Sequence, residues 1–246
     1  MSKLLSIDTN AKTVKGQKYG YLTGILYMAP SNLSGVNLCP MAKIAQCEEA
    51  CLYTAGRGAF NNVQQARLRK ADWFNTDKQS FMIQLFKDIE ALQRKAKKLG
   101  LTPLVRLNGT TDIRFESIKF SLLGELSQFT IFEYFPNVQF YDYTKISNRK
   151  DIPVNYDLTF SYSGVKAFSS HVLKAIAKRM RIAVVFQSKK TIPNKFLGMP
   201  VVDGDDSDIR VNDPHGCIVA LYAKGKARKD TSGFVVRFPV FTFKVV

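Results

Sequence analysis

Hydrophobic residues recur at helical spacing in some segments of the chain and form short unbroken runs in others. In the clearest helical segment, the apolar positions from Phe81 to Leu99 recur every three or four residues, and Gly100 ends the run. Thr76 and Gln79 have the spacing of a capping box, which predicts that this helix begins near residue 76.

The remaining elements follow from the same two patterns. Helices are predicted over 61–74, around 117–129 and over 169–180, and strands over 19–29, 103–108, 138–144, 156–163, 181–187, 199–204, 217–225 and 234–243. Because strands alternate with helices, a mostly parallel sheet is favoured. Several runs are apolar on both faces and end in polar residues, as in barrels whose sites lie at the carboxyl ends of the strands. The prediction is one α/β domain over residues 1–246, a TIM-like or partial barrel, with a doubly wound open sheet as the alternative.

The composition of the chain indicates its net charge and the kind of compartment in which it works. The 246 residues include 36 Lys and Arg against 20 Asp and Glu, a net charge of +16, which favours polyanions and makes nucleic acid a candidate partner. No apolar run reaches the roughly 18 residues that span a bilayer, and residues 1–20 lack the apolar stretch of a signal peptide. Four cysteines are too few for a secreted disulfide framework. We expect a reducing, cytoplasmic setting and no membrane partner.

Three of the four cysteines, Cys39, Cys47 and Cys51, lie within thirteen residues, directly after the first predicted strand. Thiolates at such short spacing bind a soft metal or an iron–sulfur cluster, and three ligands leave one coordination position open for chemistry. On a straight helix Cys47 and Cys51 would share a face, whereas Cys39 and Cys47 would lie roughly 12 Å apart. The chain therefore has to turn before Cys47, or Cys39 precedes a helix that has Pro40 in its first turn.

Three interpretations of the cysteine segment, residues 37–58, remain open. A [4Fe–4S] cluster is the preferred one. A zinc ion would need a fourth ligand, and buried structural thiols would need no metal. Cys217 begins a later strand, so in a parallel barrel it lies at the edge opposite the cysteine segment, and we predict a core residue there.

Three motifs accompany the cysteines: NLCPMA at 37–42, AGRG at 55–58 and NGTTD at 108–112. Together they resemble the phage-encoded gene product 88 family, over about residues 22–112. The resemblance implies a virus-encoded protein that works in the cytoplasm of the host bacterium. It implies no settled reaction.

The layout is also similar to that of radical S-adenosylmethionine enzymes, which place three cysteines after the first barrel strand and a glycine-containing motif after the second. The cysteine gaps here, seven and three intervening residues, differ from the usual ones of that superfamily. The similarity implies a [4Fe–4S] cluster with one open iron that binds S-adenosylmethionine or another small-molecule substrate, for radical or lyase-type chemistry. Such an enzyme also implies an electron donor from the host.

Polar residues at the predicted strand ends complete the candidate site. The predicted catalytic residues are Asn108, Thr110, Asp112, Tyr143 and Lys145. The predicted cofactor-binding residues are Arg57, Gly58, Asn108, Ser161 and Gln187. Ordinary structural roles compete with these: a helix cap for AGRG, a capped turn for NGTTD, and aromatic packing for the tyrosines of the 138–144 strand.

Two main functional hypotheses follow. The leading one is a phage iron–sulfur enzyme that acts on a small molecule. The alternative is a basic nucleic-acid-binding protein, not an enzyme, in which an iron–sulfur cluster or zinc is structural. An electron carrier is a third hypothesis, less favoured because a three-cysteine site leaves the ligation of a cluster incomplete.

Overall fold

The computed structural model describes residues 3–8 and 11–238. The strands are β1 Leu5–Ile7, β2 Tyr21–Leu26, β3 Thr102–Arg106, β4 Lys119–Phe120, β5 Phe129–Thr130, β6 Gln139–Thr144, β7 Tyr156–Ser161, β8 Ile182–Phe186, β9 Lys195–Phe196, β10 Met199–Asp203 and β11 Ile218–Tyr222. The helices are α1 Ala11–Gly16, α2 Asn61–Thr76, α3 Lys78–Leu99, α4 Ile131–Tyr134 and α5 Ser169–Ala177. Most of the predicted strands and helices are confirmed, with their ends shifted by a few residues.

Nine strands form one sheet in the order β1-β2-β3-β6-β7-β8-β11-β10-β9. Neighbours from β2 to β10 pair in parallel, and β1 and β9 are antiparallel strands at the two edges. The predicted mostly parallel α/β architecture is confirmed. A TIM-like barrel is not confirmed, because the sheet formed by the described residues is open. This sheet also lacks doubly wound order, since from β2 to β8 the strands lie in chain order instead of reversing near the middle.

Helix α3 begins and ends close to where the sequence pattern predicts. Its N-cap is Asp77, whose Oδ1 accepts a hydrogen bond from Ser80 N at 3.0 Å. The predicted capping box is therefore wrong by one residue, and the Thr76 hydroxyl instead donates to Asp72 O in α2. Gly100 ends the helix in the left-handed conformation, with a φ of 66°.

The helix predicted around residues 117–129 is wrong. Strands β4 and β5 form a separate two-stranded hairpin there, and helix α4 starts only at Ile131. Gly124 takes a positive φ of 87° inside the predicted helix, and Leu123 and Leu126 are fully exposed. Because these leucines stay in solvent, a helix would have gained no burial to stabilise it.

Helix α3 covers one face of the sheet. Leu92 is fully buried, and a Cβ at Gly24 in β2 would lie 3.1 Å from its Cδ2 atom. Glycine at this position therefore lets the helix approach the strand closely. Asp88 on the same helix accepts backbone hydrogen bonds from Leu4 at 2.5 Å and from Leu5 at 3.0 Å, which hold the edge strand β1 in place.

The opposite face of the sheet, on the side of Leu104 and Tyr141, is covered by residues 204–217, which we call the covering segment. Ile209 packs with Leu104 and Tyr141. Asp208 accepts hydrogen bonds from the Tyr141 hydroxyl at 2.9 Å and from Arg106 Nη1 at 3.1 Å. Because a buried guanidinium is costly without a partner, this ion pair holds the covering segment against the sheet.

The predicted C-terminal strand is described only as far as residue 238. Val236 forms an isolated parallel bridge with Phe186, and the rest of the predicted strand lies outside the described residues. None of the described helices is both long and apolar enough to cross a bilayer.

Leu92→Ala should lower the free energy of unfolding by about 2–5 kcal/mol, because it leaves a cavity between α3 and β2. Leu99→Ala on the same helix is the matched control, since Leu99 is 53% exposed and its truncation should change stability by less than about 0.5 kcal/mol. Urea unfolding followed by circular dichroism gives both values. Equal effects of the two substitutions would contradict the packing of α3 described above.

Candidate functional site

The carboxyl ends of β2, β3, β6, β7, β8 and β11 lie at one edge of the sheet, because these strands are parallel. The cysteine segment follows β2, NGTTD follows β3, and Lys145 directly follows β6. Ser161 ends β7, and Gln187 follows β8. The residues predicted for the site thus follow strands that end at the same edge.

The part of the cysteine segment from residue 39 to residue 51 is a series of turns and not a helix. Ala42 N donates to Cys39 O at 3.0 Å, and Cys47 N donates to Ala42 O at 3.2 Å. Gln46 takes a positive φ of 49°, so the chain changes direction just before Cys47. The helical face proposed for Cys47 and Cys51 is therefore wrong, whereas the predicted turn before Cys47 is confirmed.

Three neighbouring loops hold this segment in place. Asp112 N donates to Leu38 O at 2.9 Å, and the Ser163 hydroxyl after β7 donates to Ala45 O at 2.8 Å. In the chain after β11, the Ser232 hydroxyl donates to Gln46 O at 3.3 Å. The positions of the cysteines are therefore fixed by contacts with distant parts of the chain as well as by the local sequence.

The three thiols are partly buried and affect one another's ionisation. Burial raises the pKa of Cys39 to about 12, with smaller contributions from the charges of Cys51, Asp112 and Cys47. Burial also raises the pKa of the other two thiols. Thiols in such surroundings stay protonated, so ionising all three requires a cation in the site.

Lys145 is a buried cation beside the thiols. Its ammonium group donates to Ser161 O at 3.2 Å, to Ser161 Oγ at 3.1 Å and to Tyr162 O at 3.3 Å, all of which are neutral acceptors. Burial lowers the pKa of Lys145, and the charges of the three cysteines and Asp112 oppose this effect. Lys145 is thus a buried positive group within electrostatic range of all three thiols.

Asn108 uses its side chain within the loop that it begins. Its Nδ2 donates to Ile113 O at 3.1 Å and to Asp142 Oδ2 at 3.2 Å. Its Oδ1 accepts from Ile113 N at 2.7 Å and from the Thr111 hydroxyl at 2.9 Å. Because both ends of the amide are bonded to protein groups, the geometry favours the capped-turn role over contact with a ligand.

The other members of NGTTD contact β2 and Lys145. The Thr110 hydroxyl donates to Met28 O, just after β2, at 2.6 Å. A Cβ at Gly109 would lie 2.8 Å from Leu26 O, so glycine is needed where this loop passes the end of β2. Asp112 Oδ2 accepts from Lys145 N at 2.8 Å and so fixes the backbone from which the lysine projects.

Tyr143 faces the covering segment and the charges held there. Its ring centroid lies 4.7 Å from Arg106 Cζ. Burial raises the pKa of Tyr143 to about 12, and its charged neighbours include Arg210 and Asp208 of the covering segment. This position favours packing beneath the site over a role at the thiols.

The predicted cofactor-binding residues differ in their surroundings. Arg57 is exposed, whereas Gly58 is buried and its carbonyl accepts from Gln64 Nε2 at 3.2 Å. Gln187 Nε2 donates to Arg228 O at 3.1 Å, and its Oε1 is buried without a hydrogen-bond partner among the described residues. Gln187 therefore retains an acceptor that a ligand can use.

Within residues 3–8 and 11–238, no three His, Cys, Asp or Glu side chains lie close enough together to hold a single metal ion. The predicted iron–sulfur site therefore stays a prediction. Cys217 is fully buried just before β11, at the amino-terminal edge of the sheet and in contact with the core, as predicted.

Sequence patterns give no signal for one further residue beside the thiols, Arg67 of α2. Its guanidinium lies against the rings of Tyr27 and Tyr53, and the Cys51 thiol is close enough to affect its ionisation. From the sequence, the basic stretch of α2 is typical of a solvated helix surface, and only the fold shows that Arg67 turns inward.

Two basic runs lie at opposite edges of the sheet. Residues 94–98 occupy the last turns of α3, which leads into the amino-terminal end of β3. Residues 224–229 follow the carboxyl end of β11, and Lys189 and Lys190 follow the neighbouring strand β8. The run at 94–98 therefore does not join the others into the continuous basic surface that is typical of a nucleic-acid site.

Comparison with known proteins finds a matching family model. A family model described as Gene product 88 matches residues 3–237. No curated protein and no solved structure matches the chain. The family match extends far beyond the motifs of residues 37–112, whereas the resemblance to radical S-adenosylmethionine enzymes gains no support from any comparison.

Gly109→Ala should destabilise the protein by about 1–3 kcal/mol, because the new methyl group would lie 2.8 Å from Leu26 O and 2.6 Å from Tyr27 Cδ1. Gly16→Ala is the control, since a Cβ there meets only the flexible side chain of Ile209, at 3.1 Å. Urea denaturation of both variants measures the difference. A Gly109→Ala variant as stable as the control would show that the NGTTD loop does not press against β2.

Proposed function

The chain belongs to the gene product 88 family, and we propose that it is an iron–sulfur enzyme that acts on a small molecule. Cys39, Cys47 and Cys51 would hold a [4Fe–4S] cluster and leave one iron for a substrate or for S-adenosylmethionine. The observation that carries the proposal is that all three thiols lie within electrostatic range of one buried ammonium group, Lys145. They do so at the carboxyl edge of a parallel sheet, where α/β proteins bind their ligands.

The charges of the site suit a cluster. Cluster ligands are thiolates, and burial disfavours a thiolate unless a positive charge is close. Three thiolates outweigh the positive charge of a four-iron cluster in its oxidised form, and Lys145 offsets the excess. Because the hydrogen bonds of Lys145 go to neutral acceptors, its charge remains available to the thiols and Asp112.

A single zinc ion suits the site less well. Zinc–sulfur bonds of about 2.3 Å would draw the sulfur atoms to within about 3.8 Å of one another. Among the described residues, no Cys, His, Asp and Glu side chains gather in that way. A structural zinc would also need a fourth ligand, and Cys217 lies at the other edge of the sheet. A four-iron cluster spaces its cysteines more widely and can be held by three of them.

A bound cluster with an open iron supplies an electron, received from a host donor, or acts as a Lewis acid. The chain's own groups would hold the substrate beside it. Gln187 offers a buried carbonyl oxygen that has no hydrogen-bond partner in the described part of the chain. Ser161 and Asp112 act through Lys145, because the first accepts from its ammonium group and the second from its backbone N–H. We assign a binding role to Gln187 and positioning roles to Ser161 and Asp112.

Nucleic-acid binding is the alternative, and it rests on the net charge of +16. The basic runs 94–98 and 224–229 lie at opposite edges of the sheet, so they favour this function less than one basic groove would. Tight binding of DNA or RNA with a steep salt dependence, unchanged by substitutions in NGTTD, would support the alternative over the enzyme.

Anaerobic reconstitution with iron and sulfide tests the leading proposal. The wild-type chain should bind about four iron and four sulfide, and Cys51→Ser should lose most of both. Cys217→Ser is the matched control and should keep the cluster, since Cys217 is a core residue remote from the segment. Electron paramagnetic resonance of the reduced protein, with and without S-adenosylmethionine, then shows whether that molecule binds the open iron. A colourless protein that contains stoichiometric zinc would contradict the proposal.

Lys145→Met should lower the reduction potential of the reconstituted cluster, because reduction adds negative charge that the lysine no longer offsets. Lys145→Arg keeps the positive charge and should restore a value near that of the wild type. Lys166→Met is the control at an exposed lysine. Redox titration followed by electron paramagnetic resonance gives the potentials. A wild-type potential in Lys145→Met would contradict the role assigned to this residue.

A further inference from the structure

Arg67 is a cation near the Cys51 thiol, and it lacks a described anionic partner of its own. Its Cζ atom lies 4.8 Å from the centroid of the Tyr27 ring and 5.5 Å from that of the Tyr53 ring. Its Nε and Nη1 atoms are buried, and neither has a hydrogen-bond partner among the described residues. Because an enclosed N–H without an acceptor is costly, this arrangement points to a missing acceptor.

The four buried arginines also have at least one buried N–H without a hydrogen-bond partner, so the ion pairs make the comparison with Arg67. Each of the four forms an ion pair with a carboxylate: Arg106 with Asp208, Arg149 with Glu116, Arg181 with Asp157 and Arg210 with Asp213. Arg67 forms no ion pair with any Asp or Glu in the described part of the chain. Tyr53, whose ring the guanidinium contacts, donates its backbone N–H to Cys51 Sγ at 3.4 Å, which places the guanidinium at the border of the cysteine site.

The backbone around Arg67 leaves room for its head group. A Cβ at Gly58 would lie 3.1 Å from Arg67 Nη1 and 2.7 Å from Tyr53 O, so the glycine of AGRG keeps this space clear. Tyr27, Cys51 and Arg67 are each half-buried, whereas Tyr53 is buried and forms the inner wall. The more exposed side of the guanidinium is therefore that of Tyr27 and Cys51.

We propose that Arg67 binds an anionic oxygen group, a carboxylate or a phosphate, of the small molecule that occupies the cysteine site. The inference rests on the proposed function in one respect, namely that a small molecule binds beside the three thiols. Arginine suits this role because its planar head group donates several hydrogen bonds and stacks on aromatic rings. The two tyrosines would hold that plane in a fixed orientation and exclude water from it.

Anion-dependent stability of the full chain, purified without iron, tests the proposal. Melting temperatures are measured in rising concentrations of sodium phosphate, sodium acetate and sodium chloride at matched ionic strength. A ligand that binds only the folded state raises the melting temperature, and the rise follows its saturation. We expect a rise in phosphate or in acetate relative to chloride, and the arm that responds identifies the anion class.

Arg67→Gln should abolish the anion-specific rise, and Arg69→Gln should keep it. Arg69 is the matched control because it is exposed on the same helix. If Arg67→Gln does not fold, Arg67→Lys takes its place. Lysine keeps the positive charge but lacks the several planar N–H donors of arginine, so the rise in melting temperature should be severalfold smaller. No anion-specific rise in the wild type, or the same rise in the Arg67 variant, would overturn the proposal.

Failure of the anion-binding proposal can be told apart from failure of the iron–sulfur proposal. The melting measurements use protein without iron, so a failed reconstitution leaves an anion-specific rise intact. Conversely, a bound cluster together with an absent anion effect would remove Arg67 from the ligand site and keep the proposed iron–sulfur function.

Discussion

Asp112, in the loop after β3, contacts both the cysteine segment and the loop that carries Lys145 and Arg149. Its backbone N–H donates to Leu38 O in the cysteine segment, its Oδ2 accepts from Lys145 N, and its Oδ1 lies 3.5 Å from Arg149 Nη1. Burial raises the pKa of Asp112, and the hydrogen bond from Lys145 and the charge of Arg149 oppose this effect. Because these contacts connect the loops that follow β2, β3 and β6, the placement of the thiols against the ammonium group depends on them.

The sequence predicted the sheet well and the site only in part. Buried strands appear as apolar runs, so β8 and β11 could be located. Parallel strands place their carboxyl ends together, so Lys145 could be assigned to the site edge. The use of each side chain could not be predicted. The amide of Asn108, for example, is occupied by contacts with Ile113 and with Asp142, and nothing in the local sequence indicates the second contact.

The errors have a common physical cause. The turns of the cysteine segment are held by Ser163 and Ser232, which lie far along the chain, so local spacing suggested a helical face that does not form. The prediction of a TIM-like barrel is not confirmed for a similar reason, because a pattern of strands does not specify whether the two edges of the sheet meet. The inward position of Arg67 likewise depends on Tyr27 and Tyr53, which precede α2 and flank the cysteines.

The covering segment also closes one face of the sheet beneath the loops that carry the site. Ile209 and Asp208 fill the hollow next to Leu104 and Tyr141, where an open barrel would let a ligand extend downward. Because these two side chains occupy that face of the sheet, a molecule that reaches Lys145 has to come from the loops at the carboxyl edge and not through the covering segment.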